Sequence, residues 1–128
     1  MAVIISDNEE RIGKQIVDAA FAVHTKLGPG LLESIYEECF CHELRKRGLK
    51  VRRQVKLPLV YDGVQLGMAL ELDVLVEELV VCELKARDPH PVDLAQILSH
   101  LKLAAKHLGY LINFHVPLIK KGIKRVIA

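Results

Sequence analysis

The chain has 128 residues, 51% hydrophobic and 27% charged, which excludes a disordered segment and leaves room for one compact domain rather than two. Its formal net charge of +2 says little by itself about a partner. Charges interrupt every apolar run before the ~18 residues that a membrane span needs, so no membrane association is expected.

The opening MAVIISDNEE lacks the basic flank and cleavage site of a secretory signal. Cys39, Cys41 and Cys82 form no C-x-x-C pair and leave an odd thiol, so a reducing, cytoplasmic setting is expected. Ser6 and Glu9 have the spacing of a capping box, followed by Ile12, Ile16, Ala19, Ala20 and Val23 at helical intervals. Gly28-Pro29 ends that helix. A second helix is predicted from about Leu31 to Arg47, with Leu32, Ile35, Cys39 and Leu44 on its apolar side. With Gly30 near the N-cap, Glu33 falls near the third helical position, where the helix dipole favours an acid by ~0.3–1 kcal/mol. Tyr36, one turn later, can bury its ring and offer its hydroxyl to a neighbour such as Glu33.

The middle of the chain is strand-like. KVRRQVKLPLVY leads into Asp62-Gly63, a two-residue hairpin signal, and then VQLGMALELDVLV. LVVCELKA follows as a third strand, and Asp88-Pro89-His90-Pro91 breaks the sheet. A third helix is predicted from about Val92 to Leu108, then a buried strand in YLINFHV and a short final strand in GIKRVIA. The order α-α-β-β-β-α-β predicts an α/β (α+β) fold, one mixed sheet flanked by helices, with the strand after the third helix parallel to an earlier one.

Strand alternation places Leu70, Leu72, Val74 and Val76 on one face and Glu71 and Asp73 on the other. In the next strand Glu83 and Lys85 share the face opposite Val80, Cys82 and Leu84. Asp73 and Glu83 meet only if the loop between the strands is odd-numbered, as with Glu77 to Leu79, or carries a bulge. Two carboxylates so close repel unless a cation or proton intervenes, and they suit Mg²⁺. Lys85 can then orient a water or stabilise phosphate charge. The plainer alternative is a solvent-facing Glu-Lys pair worth ~0–1 kcal/mol. Gln96 and His100, four apart, share a helical face, while the six histidines show no zinc spacing. Two basic clusters stand out, Arg45 to Lys56 and Lys120 to Arg125, which either meet phosphates or form solvated faces.

Taken in order, Gly30-x-x-Glu33-x-x-Tyr36, Asp73, Glu83-x-Lys85 and Gln96 resemble the GxxExxY protein family, a branch of the PD-(D/E)XK nuclease superfamily. The resemblance implies a restriction-endonuclease-like core. It also implies Asp73 and Glu83 as metal ligands, Glu33 as a further acid from the N-terminal helix, Lys85 as the catalytic lysine and Tyr36 as support behind Glu33. Gln96 matches the glutamine of a Q-x-x-x-Y motif whose tyrosine position is His100 here, and Glu71 stands where relatives commonly carry arginine. The expected activity is Mg²⁺- or Mn²⁺-dependent hydrolysis of DNA or another nucleic acid, with Arg45, Arg47, Arg52 and Arg53 on its backbone. The rival expectation is a non-catalytic nucleic-acid- or protein-binding domain that keeps the nuclease fold, with a homodimer one open assembly.

Overall fold

The structure is a computed structural model that describes residues 2–128. Helix α1 (Asp7–Leu27) starts at a reciprocal box: Ser6 Oγ accepts from Glu9 N at 3.1 Å, and Glu9 Oε1 accepts from Ser6 N at 2.9 Å. Two otherwise orphaned donors are satisfied, as the Ser6–Glu9 spacing predicts. Ile12, Ile16, Ala19, Ala20 and Val23 form the buried stripe, and the Gly28 N–H closes the helix on His24 O at 2.8 Å.

Helix α2 (Glu33–Lys46) departs from the predicted one in start and in face. Leu32 is the N-cap and makes no side-chain cap, so Glu33 is the first helical residue rather than the third. Leu32 and Ile35 are exposed, whereas Tyr36, Phe40, Cys41 and Leu44 are fully buried. The rings decide this. Tyr36 stacks on Phe114 with centroids 4.6 Å apart, and Phe40 meets the same ring edge-on at 6.4 Å. Aromatic side chains bury more area than the aliphatic ones they displace, so their face turns inward.

Strands β1 (Val51–Tyr61), β2 (Val64–Val76), β3 (Val80–Lys85), β4 (Leu108–Asn113) and β5 (Ile123–Ile127) form one sheet in chain order. Asp62 and Gly63, at φ 55° and 73°, make the tight turn between β1 and β2. Helix α3 (Val92–Ala104) crosses from β3 to β4, which run parallel; all other pairs are antiparallel. The helix stops at Ala104 because Ala105 turns left-handed at φ 55°, and Leu108 therefore belongs to β4 rather than to the helix. A 3-10 turn, Ile119–Gly122, leads into β5. Among the described residues no helix is long and apolar enough to cross a membrane.

The sheet has a core on each face. Val74, Val76, Cys82, Leu84 and Ile112 pack with α1 and α2, while Leu72, Leu75, Val81, Leu111 and Val126 pack with Ile97 and Leu101 of α3. The expected single face of Leu70, Leu72, Val74 and Val76 is therefore split, with Leu70 and Leu72 turned to α3 and the two valines to α1 and α2. β1 switches in step, since Val51 packs on the first core and Val55 and Leu57 on the second. The switch lies where Gln54, at φ 50°, stands across from Asp73, between the pairs Arg53↔Val74 and Val55↔Leu72. One out-of-step residue in a strand moves every later side chain to the other face.

Candidate active site

The β2–β3 loop decides whether the two acids meet. Val74↔Cys82, Leu75↔Val81 and Val76↔Val80 pair around Glu77, Glu78 and Leu79, with Glu77 and Glu78 left-handed at φ 53° and 57°. This is the odd-numbered loop, and its register continued by one step sets Asp73 across from Glu83. The regular pairing ends there. Asp73 Oδ2 instead accepts the Leu84 N–H at 2.9 Å, which sets its carboxylate beside Glu83.

Glu83 is only 2% exposed. Burial, then the Asp73 charge and the hydrogen bond between them, push its pKa up to about 9, with Lys85 opposing. From α3, His100 brings Nδ1 to within 2.6 Å of Glu83 Oε1. Burial lowers the imidazole pKa. Such a contact is an ion pair or a neutral hydrogen bond according to which group holds the proton. A proton on Glu83 and a cation beside it would relieve the same repulsion between adjacent carboxylates.

Lys85, on the same face as Glu83, donates from Nζ to Gln96 Oε1 at 3.0 Å. Gln96 and His100, one turn apart on α3, each reach one residue of β3. Glu33 lies exposed at the start of α2, yet its pKa is raised by partial burial and next by Asp73, with Lys85 and Arg87 opposing. Those influences bring Glu33 into the field of the same pocket. It does not complete a ready ligand cluster: among the described residues no three His, Cys, Asp or Glu side chains converge on a metal position. The donor set that is present, two adjacent carboxylates with a third acid nearby, fits a hard divalent cation that keeps several waters.

A family model described as the PD-(D/E)XK nuclease superfamily matches residues 10–126. The chain belongs to that superfamily. Its mixed five-stranded sheet with three helices is the restriction-endonuclease-like fold. No curated protein and no solved structure matches. The letters of the superfamily name are met by Asp73 and by Glu83-Leu84-Lys85, with Leu72 where the name has proline.

Around these residues several expectations change. The Tyr36 hydroxyl does not bond Glu33; it donates to Gly28 O at 2.5 Å and accepts from Leu31 N at 3.1 Å. Tyr36 therefore pins the loop from which Glu33 starts. Among the four arginines, Arg53 bonds Glu37 at 2.9 Å and Glu38 at 2.6 Å, and Arg52 bonds Glu78 at 2.7 Å. Arg47 reaches Gln15 at 3.4 Å, and Arg45 lines a cavity of about 380 Å³ between α1 and α2. Arg45 and Arg47 lie at the C-terminal end of α2, away from Glu33 at its start.

Near Lys85 the structure also places an ion pair that the sequence did not single out. Arg87 holds Asp93 with two bonds, 2.6 and 3.1 Å, and Asp93 also accepts from His90 N at 3.1 Å. The signal available was Lys85-x-Arg87, two cations two residues apart. The His100 contact to Glu83 was foreshadowed by its one-turn spacing from Gln96, though spacing does not name a partner. Glu71 is exposed and stands opposite Lys56 in the β1–β2 register; the charges acting most on Glu33 and Glu83 are Asp73 and Lys85.

Proposed function

We propose that the protein is a metal-dependent nuclease that uses Mg²⁺ or Mn²⁺ to hydrolyse phosphodiester bonds of DNA or another nucleic acid. The observation that carries the reading is the adjacent Asp73 and Glu83 carboxyls, Glu83 buried, with Lys85 two residues further along the same face. On losing its proton, Glu83 joins Asp73 as an oxygen ligand, with Glu33 as a further acid at the rim. When bound there, a divalent cation supplies positive charge to the phosphate and acidifies a water. Lys85 donates to the phosphate oxygen that gains charge, and Gln96 holds the lysine and orients the water. His100 keeps Glu83 in place through Oε1. Tyr36 supports Glu33 by fixing the loop ahead of it, which gives a physical reason for the G-x-x-E-x-x-Y spacing and for GxxExxY membership. Arg45 and Arg47 are the better candidates for backbone contact, since Arg52 and Arg53 already hold acids.

The test is a cleavage panel of plasmid and oligonucleotide substrates with and without Mg²⁺, beside calorimetric Mg²⁺ and Mn²⁺ titration. Metal-dependent cutting that Lys85→Ala removes, and metal binding that Asp73→Ala removes, are the expected results. Equal cutting by Lys85→Ala identifies a contaminant. A second reading, a non-catalytic domain, is favoured by one contact: His100 already occupies Glu83 Oε1. Flat metal titrations of wild type and Asp73→Ala alike would select it.

A further inference from the structure

Beside Lys85, at the end of the parallel β3–β4 pair, lies a cleft of about 470 Å³ between the first turn of α3, β4 and the 3-10 turn with β5. Its cations are Lys85, Lys121 and Lys124, with His90 on the α3 side. Asp93 is the acid in its wall, and Arg87 holds both of that carboxylate's oxygens. Lys121 and Lys124 are exposed and, among the described residues, their ammonium groups have no ion-pair or hydrogen-bond partner. Arg125 is paired with Glu10, as Arg52 and Arg53 are with their acids, whereas Lys120 is exposed and unpaired but does not line the cleft.

The sheet register explains where Lys124 points. Glu83 pairs with Leu111 across β3–β4, and Leu111 pairs with Lys124 across β4–β5. Leu111 and Val126 belong to the α3-side core, so Lys124 shares their face and stands in the same row as Glu83. Two strand spacings, ~9.6 Å, separate the two positions along that row. Gly122 keeps the wall in place. A Cβ there would lie 2.1 Å from Asn113 O, so only glycine lets the turn press on the end of β4 with Lys121 and Lys124 at either side.

We infer that this cleft is a phosphate subsite in which Lys121 and Lys124 hold the backbone of a single nucleic-acid strand next to the phosphate engaged at Asp73, Glu83 and Lys85. The inference rests on the nuclease reading and supplies its substrate path. A cleft of this volume is the size of a small-ligand site, enough for one stretch of backbone.

The experiment uses the full chain in EDTA, so that the strand is bound and not cut, with a fluorescent single-stranded oligonucleotide over a series of salt concentrations. Each phosphate contact on a single strand contributes about 0.7 to the slope of log affinity against log salt, so Lys121→Ala with Lys124→Ala should reduce the slope by about 1.4. Binding at low salt should weaken roughly tenfold. The equally charged loss at Lys14 and Lys102, both exposed and outside the cleft lining, should leave the slope unchanged. Thermal melts of both pairs confirm that each is folded. A wild-type slope in the Lys121/Lys124 variant, or an equal loss in the control pair, overturns the subsite. So does saturation by inorganic phosphate together with oligonucleotide binding that ignores the two lysines, which would assign the cleft to a free anion. Mg²⁺-dependent cleavage by the wild type alongside an unchanged slope rejects the subsite and keeps the nuclease reading. Lysine-dependent binding with no cleavage in Mg²⁺ or Mn²⁺ supports the subsite and rejects the nuclease.

Discussion

Glu37 and Glu83 are both buried acids, 8% and 2% exposed, on opposite faces of the same sheet. Glu37 is fully answered: Arg53 donates to it at 2.9 Å and Gln54 at 2.7 Å. Glu83 is answered by a second carboxyl and an imidazole, and its pKa rises to about 9. Burial of an acid is therefore no sign of function; what marks a site is an acid buried among groups that leave its charge unfavourable. The two regions also share a joint. Gln54, which completes the Glu37 cluster, is the left-handed residue at which β1 and β2 change faces, directly across from Asp73.

The comparison breaks most sharply under substitution of each acid in turn. Glu83→Gln should lower metal-dependent cleavage by roughly 10²–10³-fold, while the metal-free protein becomes no less stable at neutral pH. Because the folded pKa of Glu83 lies above its ordinary 4.5, its contribution to stability is present in full below about 4.5 and is lost as pH rises through about 9. Thermal melts of the metal-free wild type should accordingly fall over that window, and those of Glu83→Gln should stay flatter. A steeper fall in the variant would show that Glu83 is not the group responsible.

Glu37→Ala should do the reverse. Removing one member of a buried pair leaves Arg53 with Glu38 alone and the Gln54 amide without its acceptor. The cost is about 3 kcal/mol, which lowers Tm by roughly 10 °C. Metal affinity per folded molecule should not change, and a loss of metal binding equal to that of Asp73→Ala would erase the distinction between the regions.

Smaller effects sharpen the boundary. Tyr36→Phe keeps the stack on Phe114 but removes the hydroxyl bonds to Gly28 and Leu31. It should cost about 1–2 kcal/mol in chemical denaturation, with a drop in cleavage only if the loop before Glu33 loosens. Arg52→Ala, which breaks an exposed pair with Glu78, should change stability by no more than about 0.5 kcal/mol. A change as large as that for Glu37→Ala would mean that exposed and buried pairs here are not different in kind.

Local order was legible in the sequence wherever neighbours along the chain set the outcome. The Ser6–Glu9 box, the Asp62-Gly63 turn and the shared face of Glu83 and Lys85 depend on a few consecutive residues, and the structure has all three. The odd-loop condition for Asp73 and Glu83 also follows from residue numbers alone, although only the fold chose which loop formed. Which face α2 buries, which arginines are already paired, and where β1 and β2 turn over were decided by partners far away in sequence. Phe114 draws in Tyr36 and Phe40, Glu37 and Glu38 take Arg53, and Gln54 turns left-handed where no local residue pattern calls for it. In "GPGLLESIYEE" the sequence by itself determined a helix start with an acid and a tyrosine one turn apart. Tertiary structure decided that the tyrosine ties down the loop and that Glu33 feels Asp73, because those interactions depend on distances through space that spacing along a chain does not set.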